Sequence, residues 1–132
     1  VDFSPVALER ARGMAAEHEV NVEWVEADLT TWEPTDRYDL VLVAYVHLPS
    51  AELEALMARV ASWVNAGGRL VLVGHDRSTA GVSGPSHPDL LWDLDSLPGM
   101  VAPLTVERGR VAYRTVDSGD EAADTVVVAR RG

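Results

Sequence analysis

The chain has 132 residues, 47% hydrophobic and 24% charged, a composition that fits one globular domain and excludes a disordered segment. With 11 Lys and Arg against 21 Asp and Glu the net charge is -10, and such a surface, lacking a basic cluster, argues against nucleic acid or an anionic membrane as a partner. The absence of cysteine rules out disulfides, thiolate catalysis and Cys-ligated zinc and suits a cytoplasmic protein; no apolar run approaches the ~18 residues that span a bilayer, and the first residues do not read as a signal peptide.

Ser4 is a good N-cap and Pro5 fits the first helical position, so a helix is predicted from Pro5 to about His18. Val20, Val22 and Trp24 alternate with Asn21 and Glu23, which is strand spacing. The polar stretch from Asp28 to Arg37, with Pro34 inside it, is a loop. Leu40-Val41-Leu42-Val43 within Tyr38 to Ala44 is a continuous apolar run, the pattern of a parallel strand covered on both faces. Pro49 and Ser50 introduce a helix whose Leu53, Leu56, Met57, Val60, Ala61 and Val64 share one face. Gly67 and Gly68 are predicted to end it, where a left-handed residue is favoured. Leu70-Val71-Leu72-Val73 is a second buried strand.

From Gly74 to about Gly99 the chain is rich in Gly, Ser and Pro, with a short helical stretch near Leu91 to Leu97. Long loops of this kind are often functional lids. Leu104 to Val116 and Thr125 to Ala129 are β-rich, and Asp117-Ser118-Gly119-Asp120 supplies turn residues, so a terminal antiparallel hairpin is predicted, with a bulge at Gly109. Alternating strands and helices imply a parallel α/β sheet with helices on both faces.

In an open α/β sheet ligands bind beyond the carboxyl ends of the strands. Asp2, before a helix, could accept two hydrogen bonds from a ribose diol, although a solvated terminal Asp is the plainer account. Asp28 with Leu29 could take an adenine, the carboxylate on the amino group and the Leu on the ring; a turn residue or cap is the alternative. His47, just after a strand, is a candidate base or positioning group, against a packed structural histidine. His75 and Asp76 pose the same choice at the end of the next strand. His47, His75, His87 and Asp76 lack the tight spacing of a metal site, so no metal is expected. Trp24, Trp32 and Trp63 suit the core or its cover; Trp92, in the lid, is the better candidate for lining a substrate pocket.

Four segments together resemble one family. VDFSPVALERARGMAAE is similar to the acidic strand end and following helix of class I S-adenosylmethionine-dependent methyltransferases, with their Asp-x-Ser pattern and later Ala. VEWVEADLTTW resembles their adenine-reading segment, YDLVLVAYVHLPSAELEALMARV their fourth strand and its helix, and NAGGRLVLVGHD the turn into the fifth strand. The nearest subgroup is that of the small bacterial enzymes related to tellurite-resistance and thiopurine methyltransferases.

The resemblance implies a Rossmann-like sheet of order 3-2-1-4-5-7-6 and S-adenosylmethionine as cofactor, with S-adenosylhomocysteine as product. By the same resemblance Asp2, with Phe3 and Ser4, binds the ribose end of the cofactor. Asp28 and Leu29 contact its adenine, and Ala44 and Tyr45 line its methionine end. His47, His75, Asp76 and Trp92 face a small-molecule methyl acceptor. The reaction implied is in-line displacement at the sulfonium methyl, driven mainly by alignment and desolvation, with His47 as the candidate base where the acceptor must lose a proton.

The family's glycine-rich loop after its first strand, which lets backbone approach the cofactor closely, has no counterpart in the sequence. The expectation is therefore an N-terminally truncated single domain, without the first strand, the first helix and most of the second strand. Such a chain would bind S-adenosylmethionine weakly or not at all. It would also leave Leu40 to Val43 as an apolar edge inviting a second copy or the Val20 to Val25 strand. Two other readings compete with an active methyltransferase. One is an inactive remnant serving as a dimerisation or binding module. The other is a nicotinamide-dependent Rossmann enzyme, which the Asp28-Leu29 segment and the hairpin fit less well.

Overall fold

A computed structural model describes residues 1–132, which form two compact units, Val1–Thr35 and Asp36–Gly132. In the first, α1 runs from Pro5 to Glu17. It starts where the sequence places it, with Ser4 Oγ accepting from the Ala7 N–H at 3.2 Å. It ends without a glycine. Glu19 takes a left-handed φ of 53°, and the N–H groups of Glu19 and Val20 bond back to Ala16 and Ala15. Those bonds satisfy carbonyls that the last turn leaves open.

The strand predicted at Val20 to Val25 does not form. The segment makes a single parallel bridge, between Asp2 and Glu26, through Asp2 N–H to Val25 O and Ala27 N–H to Asp2 O, both 3.1 Å. Apart from that bridge the segment has no ladder, and a strand needs one.

The second unit holds one four-stranded mixed sheet. Its elements are β1 (Tyr38–Ala44), α2 (Ser50–Ser62), β2 (Val64–His75), a short α3 (Leu97–Met100), β3 (Thr105–Thr115) and β4 (Glu121–Arg130). Two 3₁₀ turns, Arg77–Thr79 and Pro88–Leu90, lie between β2 and α3. The sheet order is β1-β2-β4-β3. β1 runs parallel to β2, while β4 is antiparallel to both β2 and β3. This is the 4-5-7-6 half of the order that the family resemblance implies.

The core forms where apolar periodicity places it. Leu53, Leu56, Met57, Val60 and Ala61 recur on one face of α2 and are buried, as are Leu70 and Leu72 of β2 and Val127 and Ala129 of β4. Leu97, Val101 and Leu104 close it from the α3 segment.

Three details differ from the sequence expectations. β1 is not covered on both faces; it is the apolar edge expected at Leu40 to Val43, with Val43 buried but Leu40 and Leu42 63% and 61% exposed. Gly67 and Gly68 do not cap α2, which ends at Ser62; they lie inside β2. There they form an irregularity in which the pairing steps from Tyr38↔Val64 to Leu40↔Arg69. Gly67 has φ 79°, and a Cβ on Gly68 would come within 2.8 Å of the Asp39 carbonyl oxygen, so both positions need glycine. In the hairpin the register shift lies between Val106 and Arg108, and Gly109 pairs regularly with Val127.

Candidate functional site

In the first unit the bridge sets Asp2 beside Glu26 at the carboxyl ends of two parallel segments, with Asp28 two residues beyond. Asp2 Oδ1 accepts the Ser4 N–H at 2.8 Å. A carboxylate offers about four acceptor positions, so capacity remains for a diol. Asp28 Oδ1 accepts from both the N–H and the hydroxyl of Thr30 at 2.8 Å, which fixes the turn that carries Leu29. Phe3 is exposed at the surface. These residues fit the ribose and adenine of a nucleoside in donor and acceptor chemistry.

The second unit gathers a polar cluster where β1 and β2 end. Tyr45 follows β1 with a left-handed φ of 54°, uncommon for a residue with a side chain and characteristic of functional sites. That backbone turn lets the Tyr45 hydroxyl donate to Asp124 Oδ2 at 3.1 Å. His75, the last residue of β2, approaches Asp124 Oδ1 through Nδ1 at 3.2 Å. Arg114 of β3 donates from Nε to Asp124 Oδ2 at 2.7 Å and from a terminal nitrogen to Ser83 Oγ at 3.1 Å. β4 runs antiparallel to β2 and places Asp124 opposite His75, so one carboxylate joins the ends of all four strands. Burial alone would raise the Asp124 pKa, but the hydrogen bonds from Arg114 and Tyr45 outweigh it, and Asp124 is held below the ordinary carboxylate range. Tyr45 moves the other way: burial, then the bond to Asp124, raise it above the usual tyrosine value.

His47 lies beside this cluster. Its Nδ1 is 2.8 Å from the Leu90 carbonyl oxygen. A carbonyl only accepts, so Nδ1 carries the proton and the lone pair sits at Nε2. That Nε2 is buried and has no partner. Desolvation lowers the His47 pKa, so the ring is neutral at physiological pH. Its face stacks on His75 with centroids 4.9 Å apart and planes 5° from parallel.

Tyr45, His47 and His75 are thus brought together as sequence reasoning supposed, with Ala44 at the end of β1 next to them. Asp76 turns away. One oxygen caps the Arg77–Thr79 turn at the Ser78 N–H, 2.9 Å, and the other accepts from the buried Thr125 hydroxyl. Those hydrogen bonds outweigh burial and lower its pKa. Trp92 is 1% exposed; its Nε1–H donates to Val46 O at 3.0 Å, and its indole lies against Gly74, where a Cβ would overlap the ring. What Trp92 lines is the interior beneath the cluster. His87 caps the Pro88–Leu90 turn. No three metal-binding side chains are grouped together. Sequence reasoning passed over Asp124, Arg114 and Ser83. The β-rich run Thr125 to Ala129 marked a strand, but nothing local signals that the carboxylate just before it pairs with residues 49 and 79 positions away.

The sheet order and the clustering of polar groups at the carboxyl ends of its parallel strands define a Rossmann-like methyltransferase fold. A family model described as a methyltransferase domain matches residues 1–68, and the chain belongs to that family. No curated protein matches in sequence. Among solved structures, TehB from Haemophilus influenzae is similar, with a TM-score of 0.77 and 11% identity over 98% of this chain and 48% of that one. The N-methyltransferase NodS from Bradyrhizobium japonicum WM9 has a TM-score of 0.76 at 14% identity, covering 98% of this chain and 70% of its own. An O-methyltransferase family protein from Burkholderia thailandensis has a TM-score of 0.68 at 19% identity, covering 99% and 42%. At such identities the likeness is one of fold, and the chain spans about half the length of TehB. NodS has also been solved in complex with S-adenosyl-L-homocysteine.

Proposed function

We propose that this protein transfers a methyl group from S-adenosylmethionine to a small-molecule acceptor. The observation that carries the reading is the Tyr45, His47 and His75 cluster at the carboxyl end of a methyltransferase sheet, where ligands of such sheets bind. When bound, the cofactor supplies an activated methyl group. The chain's residues supply placement. Asp2 takes the ribose hydroxyls, with Phe3 and Ser4 beside it. Asp28 and Leu29 take the adenine, and Ala44 and Tyr45 bound the methionine end. His47 faces the acceptor with a neutral ring. Holding the nucleophile in line with the methyl in a desolvated pocket is the main source of acceleration.

Calorimetric titration with S-adenosylhomocysteine, carried to millimolar ligand, tests this. Saturable heat is expected, reduced at least roughly tenfold by Asp2→Ala and by Asp28→Ala, each removing a charge-assisted hydrogen bond. A folded protein giving no heat at millimolar ligand would overturn the reading.

We also propose that two copies associate across β1. Its outer edge is unpaired, and Leu40 and Leu42 on it are exposed.

A further inference from the structure

The two histidines at the site are not equivalent, and their surroundings divide the work between them. His47 donates from Nδ1 to a neutral carbonyl, and its Nε2 is buried. An imidazolium there would be penalised by burial, which outweighs the attraction of Asp124, and would stack directly on a second imidazole. His75 instead directs Nδ1 at the ionised Asp124, whose side chain is 8% exposed. A terminal nitrogen of Arg114 also lies 3.5 Å from the same Nδ1. The carboxylate is closer, so the Nδ1 proton belongs to the bond with Asp124 and the His75 lone pair is on Nε2. Tyr45 and Arg114 both occupy Asp124 Oδ2, which leaves Oδ1 to the histidine alone. Gly84 packs its backbone against the Nε2–Cδ2 edge of the ring, where a Cβ would overlap both atoms, and the His75 side chain keeps 14% of its surface exposed.

We propose that His75, held by Asp124, takes the proton from the methyl acceptor, and that the acceptors are molecules whose nucleophilic atom carries a proton at neutral pH, such as phenols, rather than preformed anions. The proposal rests on the methyltransferase reading above. As the acceptor atom bonds to the methyl carbon, the methyl–sulfonium bond breaks and its electron pair stays on sulfur. The acceptor's bond to hydrogen breaks, its electron pair stays on the nucleophilic atom, and the proton passes to His75 Nε2. The resulting imidazolium faces the Asp124 carboxylate. Asp124 is a positioning residue: it fixes the tautomer and stabilises the charge that forms. His47, neutral, stacks on His75 and holds the plane of its ring.

Two measurements test this. Nitrogen-15 NMR of the histidine side chains reads the tautomer directly and needs no substrate. His75 is expected as the Nδ1–H tautomer in the native protein, with that preference lost in Asp124→Asn. A native His75 protonated on Nε2 would overturn the proposal. Methyl transfer to a panel of phenols and thiophenols is the second. In His75→Gln, kcat for phenols that are neutral at the assay pH is expected to fall about 10²- to 10⁴-fold. For thiophenols already ionised it should fall less than about threefold, and added imidazole should restore part of the phenol activity. Equal losses for both nucleophile classes would refute the assignment. The titration with S-adenosylhomocysteine separates the two levels. Binding unchanged in His75→Gln together with undiminished phenol methylation overturns His75 as the base and leaves the methyltransferase reading standing. A folded protein that binds no S-adenosylhomocysteine overturns both.

Discussion

His47 and His75 stack face to face, 4.9 Å between centroids, although one is fixed by a backbone carbonyl and the other by a carboxylate. The stack couples two groups of opposite electrostatic setting, and the setting of His47 has a consequence for stability. Burial lowers its folded-state pKa below the ordinary histidine value of about 6.5. The unfolded chain therefore binds a proton first as pH falls, and stability declines from about pH 6.5 down to the folded-state value. His47→Gln, which cannot protonate, should flatten that part of the profile. Urea midpoints measured from pH 7.5 to 5 would show it, and parallel profiles for the two proteins would contradict it.

Asp124 contributes at more acid pH. Its folded-state pKa lies below the ordinary carboxylate value of about 4, because the bonds from Arg114 and Tyr45 outweigh the effect of burial. Its stabilisation is complete above that ordinary value and is lost as pH falls through the folded-state value. Asp124→Asn should be less stable than the native protein at pH 7, with the gap closing in acid. Chemical denaturation at pH 7, 4 and 3 measures the gap; a difference that stays constant or widens in acid would contradict it.

Gly74 makes room for Trp92. A Cβ there would meet the indole Cε2 at 2.6 Å, and the indole is buried with its N–H engaged by Val46. Gly74→Ala should cost about 1–3 kcal/mol through overpacking. Adding Trp92→Leu should recover part of that cost, because the smaller side chain vacates the position. Thermal melts of the single and double variants decide it, and simple addition of the two losses would count against a shared contact.

Met57 is wholly buried on the inner face of α2. Met57→Ala should destabilise by about 2–5 kcal/mol, the range for emptying a packed site. Glu54→Ala, on the exposed face of the same helix, should change stability by less than about 0.5 kcal/mol. Denaturant midpoints at constant slope compare the two.

If two copies associate across β1, Leu40→Lys with Leu42→Lys should give a monomer at concentrations where the native protein is dimeric. Sedimentation velocity across a hundredfold range of concentration reads this, and an unchanged distribution would show that the edge is not the contact.

The parts of the fold that were legible in the sequence are those whose pattern is local. Ser4-Pro5 announces α1, and the five buried positions of α2 follow its period. Leu70 and Leu72 mark a strand, and Asp117 to Asp120 mark the hairpin turn. What escaped depends on partners distant in the chain. Val20 to Val25 has the alternation of a strand but no neighbour to complete a ladder. Gly67-Gly68 after a helical run looks like a cap and is instead a break in β2 pairing. Glu19 ends α1 in a conformation that favours glycine, with no sequence mark at all. At the site, Tyr45, His47 and His75 could be read from their places after strand-like runs. Asp124 could not, because its role comes from the antiparallel return of β4 to the end of β2.

The Asp124 hub also has a kinetic meaning. One carboxylate accepts from side chains at the ends of β1, β2 and β3 while its backbone belongs to β4. No one of those strand ends can fray without breaking a bond to the same two oxygens. The mouth of a sheet is ordinarily where amide hydrogens exchange most readily, through small local openings. Here the amides flanking Tyr45, His75 and Asp124 should exchange at the rate of whole-sheet unfolding, so the chemistry-bearing end of this protein is also among its slowest to open.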